Sequence, residues 1–218
     1  MPLVISCGRD GLHAYVASLL ASTFPDGVTH GVLGQVVDRA LDRVEYCFAR
    51  VALPGYARDG TPYLDHLHGD QSAVFWYYAS NSAYEEFGDS ALAAKFMLLN
   101  KARNAINVGY STRLPKLLLM LHAVGTVLGR ATYGDSLVVT QNVTVGTDRG
   151  RAPTLESGVV LYPGALVLGE SRIGSRAKIA AGAVVLNQDV PDDSVAFGRS
   201  PDLRIKRSER NVLEEYFL

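Results

Sequence analysis

A repeat of six residues runs through the second half of the chain. From Leu155 the sequence divides into the hexads LESGVV, LYPGAL, VLGESR, IGSRAK, IAAGAV and VLNQDV. Each hexad begins with an aliphatic residue, and the fifth residue is small or β-branched in five of the six. This period fits neither the two-residue alternation of an ordinary strand nor the helical period of about 3.6 residues. It predicts a triangular β-solenoid in which three hexads make one coil of about eighteen residues.

The hexad frame also predicts which side chains fill the prism. The aliphatic first residues should stack from coil to coil, and the fifth residues must be small because two faces converge there. Cutting backwards from Val145 gives four more hexads, HAVGTV, LGRATY, GDSLVV and TQNVTV. Ten hexads predict a little over three coils, with LPKLLLML forming irregular turns before them. The polar segment GTDRGRAPT (146–154) breaks the frame and is expected to project as a loop, a common place for a binding site.

The first half of the chain has a helical pattern. Within GVLGQVVDRALDRVEYCFARV, the apolar residues recur at the spacing of one buried helical stripe. They are Leu33, Val37, Leu41, Val44, Phe48 and Val51. A second helix is predicted in QSAVFWYYASNSAYEEF, whose aromatic residues 75–78 should lie in the core or at a subunit interface, and a third in DSALAAKFMLLNKARNAINV, with Asp89 as its N-cap. We therefore predict a helical N-terminal domain over 1–109, a β-helix over 110–206 and a C-terminal tail over 207–218.

Composition excludes several classes of protein. The formal net charge is −1 at pH 7, so nothing indicates a nucleic-acid partner. The sequence contains neither a run of about eighteen apolar residues nor a typical signal peptide, so we expect no membrane partner and a cytoplasmic location. The two cysteines, Cys7 and Cys47, are too few for a disulfide framework and are expected to be thiols, with Cys47 on the apolar side of a helix.

Several motifs resemble the hexapeptide-repeat acyltransferases, and in particular the serine acetyltransferase branch. HAVGTVLG at 122–129 has the pattern H-A-x-G-x-V-x-G, QNVT at 141–144 has Q-x-V-T, and a Val-Pro turn followed by Gly-x-x-Pro closes the repeat. The resemblance spans residues 70–206. It implies an N-terminal α-helical domain followed by a left-handed parallel β-helix. It also implies a homotrimer, or a dimer of such trimers, that binds acetyl-CoA between neighbouring prisms.

The resemblance also assigns residues to a site. His122 falls on the catalytic histidine of this branch, and a neutral imidazole is well suited to remove a proton from a hydroxyl at neutral pH. The contacts to coenzyme A that it implies are Gly146, Thr147, Pro163, Ala181, Arg204 and Lys206. For the last two, which follow the final hexad, a solvated basic tail is the alternative.

Residues for the acceptor substrate are expected in two places. In the protruding loop, Arg151 is either a clamp for an acceptor carboxylate or a solvated charge. In YLDHLHGDQ (63–71), Asp65 and Asp70 are candidates for acceptor contacts from a polar loop. The spacing of aspartates and histidines there also permits a metal site, but we favour the loop and expect no metal.

Two departures from the pattern of this branch concern the acceptor. The branch usually has aspartate directly before the catalytic histidine, where this chain has Leu121, and an Arg-His-Pro loop, where this chain has Ala152 in the middle. NVGYSTRLP, upstream of His122, also offers no carboxylate to orient the imidazole. Asp65 or Asp70 of the helical domain is the alternative source of that carboxylate. Three hypotheses follow: an acetyltransferase acting on serine or a serine-like metabolite, an acetyltransferase acting on a sugar or amino sugar, and a non-catalytic structural β-helix.

Overall fold

The computed structural model describes residues 2–209 and 211–218. The helices, numbered in chain order, are α1 (Arg9–Thr23), α2 (Leu33–Phe48), α3 (Gly69–Glu85), α4 (Ser90–Asn104) and α5 (Val212–Tyr216). A small sheet beside them has the order β1 (Val4–Ile5), β3 (Thr61–Leu64), β2 (Ala57–Arg58). The three predicted helices are present as α2, α3 and α4, whereas α1 was not predicted. None of the helices in the described part of the chain combines the length and apolar character needed to cross a bilayer.

Helix α2 buries the stripe that its sequence predicts. Val37, Leu41, Val44 and Phe48 are buried, whereas Leu33 at the start of the helix is only partly covered. Cys47 lies on the same buried side, where its thiol donates to the carbonyl oxygen of Leu118 at 3.4 Å, and burial raises its pKa to about 11. The predicted position of Cys47 is therefore confirmed.

Helices α3 and α4 form the centre of the helical half. The aromatic residues 75–78 are all almost completely buried in the core, as expected. Asp89 accepts a hydrogen bond from the backbone N–H of Leu92 at 2.9 Å, so its predicted role as the N-cap of α4 is confirmed. After α4 the chain turns through Ala105 in the left-handed region, at φ 53°, and enters the prism.

The second half is a triangular prism with one sheet on each side. The six-stranded sheet contains β5 (Leu118–Met120), β8 (Leu137–Val139), β11 (Val159–Leu161), β14 (Lys178–Ile179), β16 (Ser194–Phe197) and β17 (Arg204–Arg207). The five-stranded sheet contains β4 (Asn107–Val108), β6 (Val127–Leu128), β9 (Thr144–Gly146), β12 (Leu166–Leu168) and β15 (Val184–Leu186). The prism's three-stranded sheet contains β7 (Thr132–Tyr133), β10 (Thr154–Leu155) and β13 (Arg172–Ile173).

All pairs in these three sheets are parallel except that of β16 with β17. The prediction of a helical region followed by a parallel β-solenoid is confirmed, and the left-handed sense of the coil stays a prediction. Leu166 pairs with Val184, eighteen residues later, and Leu155 with Ile173, also eighteen later. This spacing is the coil length that three hexads predict.

From Leu155 onwards, the hexad frame places side chains correctly. The first residues of the hexads are all buried inside the prism: Leu155, Leu161, Val167, Ile173, Ile179 and Val185. The small fifth residues are buried too: Val159, Ala165, Ser171, Ala177 and Ala183. Asp189, the exception in the sequence, is exposed, because a carboxylate has no partner among aliphatic side chains.

Before the protruding loop, the predicted frame is correct at Leu128, which aligns through Val145 with the inward Val167, but it is wrong by one residue at the next two hexads. Leu155 pairs with Tyr133 and Leu161 with Val139, so the inward first residues there are Tyr133 and Val139 rather than Gly134 and Thr140. The reason is a short connection: Leu128 aligns with Val145, and from Leu128 to Tyr133 the chain advances five residues instead of six.

The segment LPKLLLML (114–121) is irregular before β5, over residues 114–117, so the predicted irregular turns cover only part of it. Residues Leu118–Met120 form β5, which pairs with β8 in the six-stranded sheet, so the prism has more coils than predicted. The apolar run arises because both faces of β5 are covered: Leu118 and Met120 point into the prism, and Leu119 is buried beneath the helical half. The hydroxyl of Tyr78 on α3 donates to the carbonyl of Lys116 at 3.0 Å and fixes this junction.

The end of the chain contacts both halves. Ala52, after α2, donates its backbone N–H to the carbonyl of Tyr216 at 2.9 Å, and Val51 forms an antiparallel bridge with Phe217. Glu215 accepts from Lys178 of β14 at 3.2 Å. The C-terminal residues therefore fasten the helical half to the prism.

Candidate active site

His122 lies at the corner where the chain passes from the six-stranded to the five-stranded sheet. Met120 pairs with Val139 and Val127 with Thr144, so this corner contains six residues (121–126) where the same corner of the next coil contains four (140–143). The two extra residues make the backbone bulge away from the prism. His122 sits on this bulge, and its side chain is 86% exposed.

The backbone of His122 is held in an uncommon conformation. Its φ is 49°, in the left-handed region, which non-glycine residues adopt at a cost. Two hydrogen bonds hold it there. The N–H of Val124 donates to the carbonyl of His122 at 2.7 Å, and the N–H of His122 donates to the Oδ1 of Asp70 at 2.8 Å.

Asp70 comes from the first turn of α3 in the helical half. Its second oxygen, Oδ2, lies 3.8 Å from the Nδ1 of His122, and its side chain is only 14% exposed. The carboxylate that NVGYSTRLP does not offer is thus placed beside the imidazole by a residue distant in sequence. With Asp70 facing Nδ1, the outward Nε2 is the nitrogen free to accept a proton.

The corner that contains His122 is followed, coil by coil towards the C-terminal end of the prism, by equivalent corners that are joined by backbone hydrogen bonds. The N–H of Asn142 donates to the carbonyl of Val124, that of Gly164 to Gln141, and that of Gly182 to Pro163, each at 2.9 Å. We call this row the His122 edge; it comprises residues 121–126, 140–143, 162–165 and 180–183. Two of the predicted coenzyme A contacts, Pro163 and Ala181, lie on it above His122.

Arg204 lies at the upper end of the same edge. It pairs with Phe197, the last residue of β16, and the parallel strands of this sheet all run towards the His122 edge. Lys206 pairs with Val195, two residues further from the edge, and both basic residues are exposed. Five strand spacings separate β5 from β17, about 24 Å at about 4.8 Å each.

The protruding loop lies on a different edge of the prism, at the far end of the five-stranded sheet. Gly146 ends β9 there and Thr147 begins the loop, which turns back through paired backbone hydrogen bonds between Asp148 and Arg151 of 2.9 and 3.0 Å. We call this row the loop edge; it comprises residues 129–131, 147–153, 169–171 and 187–189. Within one copy of the chain, Gly146, Thr147 and Arg151 are therefore not brought together with His122.

Side chains from the neighbouring coils hold the loop. Arg151 pairs with Glu170 at 2.8 Å, and the Nδ2 of Asn187 donates to Asp148 at 3.0 Å. Arg130, from the coil below, donates to the carbonyl of Gly150. Because both side chains are exposed, the ion pair between Arg151 and Glu170 is weak, and another carboxylate can replace that of Glu170.

The polar side chains of YLDHLHGDQ point in different directions. Asp65 accepts from the N–H of Leu67 at 3.0 Å, and the Nδ1 of His66 lies 2.7 Å from the hydroxyl of Ser6. His68 is exposed, and Asp70 faces His122. Over residues 2–209 and 211–218, we find no group of three or more histidine, cysteine or carboxylate side chains placed to hold a metal ion.

The sequence of the chain was also compared with those of known proteins. No protein-family model matches the chain. The serine acetyltransferase of Synechococcus elongatus is 36% identical over 105 residues, which cover 46% of this chain and 43% of that protein. The serine acetyltransferase of Salmonella typhimurium is 30% identical over 152 residues, which cover 66% of this chain and 54% of that protein. The chain thus spans about half the length of these curated relatives.

Solved structures show the same architecture. The serine acetyltransferase of Brucella abortus strain S19, in complex with coenzyme A, has a TM-score of 0.69 at 22% identity and covers 93% of this chain and 83% of that one. At this identity the likeness shows the fold. Together with the curated relatives, it confirms the resemblance to the serine acetyltransferase branch that the motifs indicate.

Proposed function

We propose that the chain is an acetyl-CoA-dependent acetyltransferase in which His122 is the general base. The observation that carries this proposal is the His122 edge. It joins an exposed imidazole, backed by a carboxylate, to a row of corners that passes Pro163 and Ala181 and ends at Arg204. An extended pantetheine arm fits along such a row, with its thioester beside His122 and its phosphates beside Arg204 and Lys206.

The reaction needs one proton acceptor at the lower end of this edge. The hydroxyl oxygen of the acceptor attacks the carbonyl carbon of the thioester while its proton passes to the Nε2 of His122. The tetrahedral oxyanion is stabilised by a backbone N–H of the loop of a neighbouring copy. When the intermediate collapses, the carbon–sulfur bond breaks, the acetyl ester is released, and the coenzyme A thiolate takes the proton from the imidazolium.

The separation of the two edges supports a homotrimer. Gly146, Thr147 and Arg151 can approach an imidazole only if a neighbouring copy turns its loop edge towards the His122 edge. Val124, two residues after His122, is 59% exposed, as expected for an apolar residue that a neighbouring copy covers. A dimer of trimers through the helical halves is the larger assembly that the family resemblance implies.

The mass in solution tests the assembly. We expect light scattering to give three or six times the mass of one chain, because one prism alone carries only part of the coenzyme A groove. A chain that remains a monomer, with and without coenzyme A, while retaining turnover would contradict this prediction.

The acceptor that we favour is serine or a serine-like small metabolite. The names of the relatives support it, and Arg151 lies in the loop where it can exchange Glu170 for an acceptor carboxylate. A sugar or amino sugar is the second candidate. Leu121 and Ala152 favour it, because they replace the polar residues that the serine branch usually has beside the histidine and in the loop.

A thiol-release assay with acetyl-CoA distinguishes the two acceptors. Serine, threonine and homoserine are compared with glucosamine and N-acetylglucosamine. If the acceptor has a carboxylate, Arg151→Gln should raise its KM on the order of 10-fold, because a charge-assisted hydrogen bond is lost. Arg149→Gln, at the exposed tip of the same loop, is the control and should change little.

A sugar preference with an unchanged KM in Arg151→Gln would replace serine by the second candidate. Absence of thiol release with every acceptor would contradict the proposed activity itself.

A further inference from the structure

We infer that Asp70 is the positioning residue for His122, so that the helical half completes an active site built on the prism. This inference rests on the proposed function, since it assigns a role beside the proposed base. It chooses between Asp65 and Asp70, which the sequence left open as sources of an orienting carboxylate, and it replaces the expectation that Asp70 contacts the acceptor. The observation behind it is a mostly buried carboxylate that accepts a hydrogen bond from the backbone of an exposed histidine and faces the ring of the same residue.

The two oxygens of Asp70 have separate partners on the same residue. Oδ1 accepts from the backbone N–H of His122 at 2.8 Å, which fixes the left-handed bulge. Oδ2 lies 3.8 Å from Nδ1, longer than a hydrogen bond but close enough that a small rotation of the exposed ring makes one. Such bonds are often long before substrate binds. One carboxylate therefore sets the position of the base and favours the tautomer with the proton on Nδ1.

The turn of α3 that carries Asp70 is held by buried contacts. The next residue, Gln71, is 1% exposed; its side chain donates to the carbonyl of Gly55 at 2.9 Å and accepts from the N–H of Asp65 at 2.7 Å. Burial, with a contribution from the Asp70 charge, raises the pKa of the nearby phenol of Tyr56. A group held on a packed helix positions its partner better than one on a free loop.

The geometry makes Asp70→Asn an informative variant. The amide oxygen of asparagine can still accept from the backbone of His122, so the bulge should remain. Its NH₂ group then faces Nδ1 and donates to it, which forces the proton of the imidazole onto Nε2. That tautomer cannot accept a proton from the acceptor hydroxyl at Nε2.

We therefore expect Asp70→Asn to lower kcat on the order of 100-fold, with little change in the KM of either substrate or in thermal stability. Nitrogen-15 NMR of the imidazole should show the change of tautomer in the free enzyme, a readout that does not need turnover. Asp26→Asn is the matched control. It removes another carboxylate of the helical half that accepts a hydrogen bond from a backbone N–H, that of Val28 at 3.0 Å, and it should leave both kcat and the His122 tautomer unchanged.

Three outcomes would overturn the role of Asp70. They are an unchanged kcat in Asp70→Asn, an unchanged tautomer, or a raised acceptor KM at constant kcat, which would make Asp70 an acceptor contact. Failure of the proposed function would look different, because the wild-type chain would release no thiol while the NMR comparison still reported on Asp70.

Discussion

Replacing His122 by asparagine is expected to lower kcat for acetyl transfer by about 1,000-fold, within the range that a general base contributes. Asparagine suits this position because it tolerates the left-handed region, and Asn142 and Asn187 already occupy left-handed corners of this prism. The variant therefore removes the base and leaves the bulge intact, whereas alanine at φ 49° would also strain it. Thiol release at saturating acetyl-CoA and acceptor measures the effect.

The variant needs two controls. Its melting temperature and its affinity for coenzyme A should equal those of the wild-type chain, because the His122 side chain is exposed and the groove is unchanged. His68→Asn removes another exposed histidine, two residues before Asp70, and should leave kcat unaltered. If His122→Asn turned over at the wild-type rate, the assignment of the base would be wrong.

The fold after Leu155 was predictable because nothing interrupts the repeat there. Each hexad has one aliphatic first residue, and each coil has the same length, so periodicity alone determines which side chains point inwards. The hexads before the loop have no such marker. In LGRATY and GDSLVV, neighbouring residues such as Val138 and Val139 are equally apolar, and both are buried although they lie on opposite faces of the same strand. Pairing between coils decides the frame there.

The candidate site was predictable in part for a similar reason. His122 belongs to a motif of residues that are adjacent in the sequence, so the sequence alone identifies it as a candidate base. The two extra residues at its corner become visible only when Met120 is paired with Val139 and Val127 with Thr144.

The partner of His122 is 52 residues away, and the docking of α3 against the prism sets that contact. A sequence pattern points to a polar segment around Asp65 and Asp70 but carries no information on which carboxylate faces the imidazole. The exposed loop was also predictable only in part. The sequence showed where along the chain the loop lies, but its separation from His122 by the width of a sheet follows only from the order of the strands.

A substitution in the interior of the prism is expected to have a large effect on stability. Leu161 is completely buried at the first position of its hexad, between Val139 of the coil below and Ile179 of the coil above. Leu161→Ala should lower the free energy of unfolding by about 2–5 kcal/mol, because it removes apolar contacts and leaves a cavity that stacked strands cannot close. Urea unfolding followed by circular dichroism measures the loss.

The matched control is the same substitution on the exposed face of a helix. Leu98 of α4 is 45% exposed, so Leu98→Ala should cost less than about 1 kcal/mol, and alanine is also the better helix former. Equal losses at the two sites would show that Leu161 does not fill the prism. A large loss of stability at Leu161 alone would show that the hexad frame determines the stability of the prism, because each coil contributes one aliphatic side chain to a stack in which each side chain contacts only its neighbours.

The corner that contains His122 lies at the lower end of that stack. A cavity at Leu161 should therefore also weaken the row of hydrogen bonds from Val124 to Pro163, and it should lower turnover without changing the base.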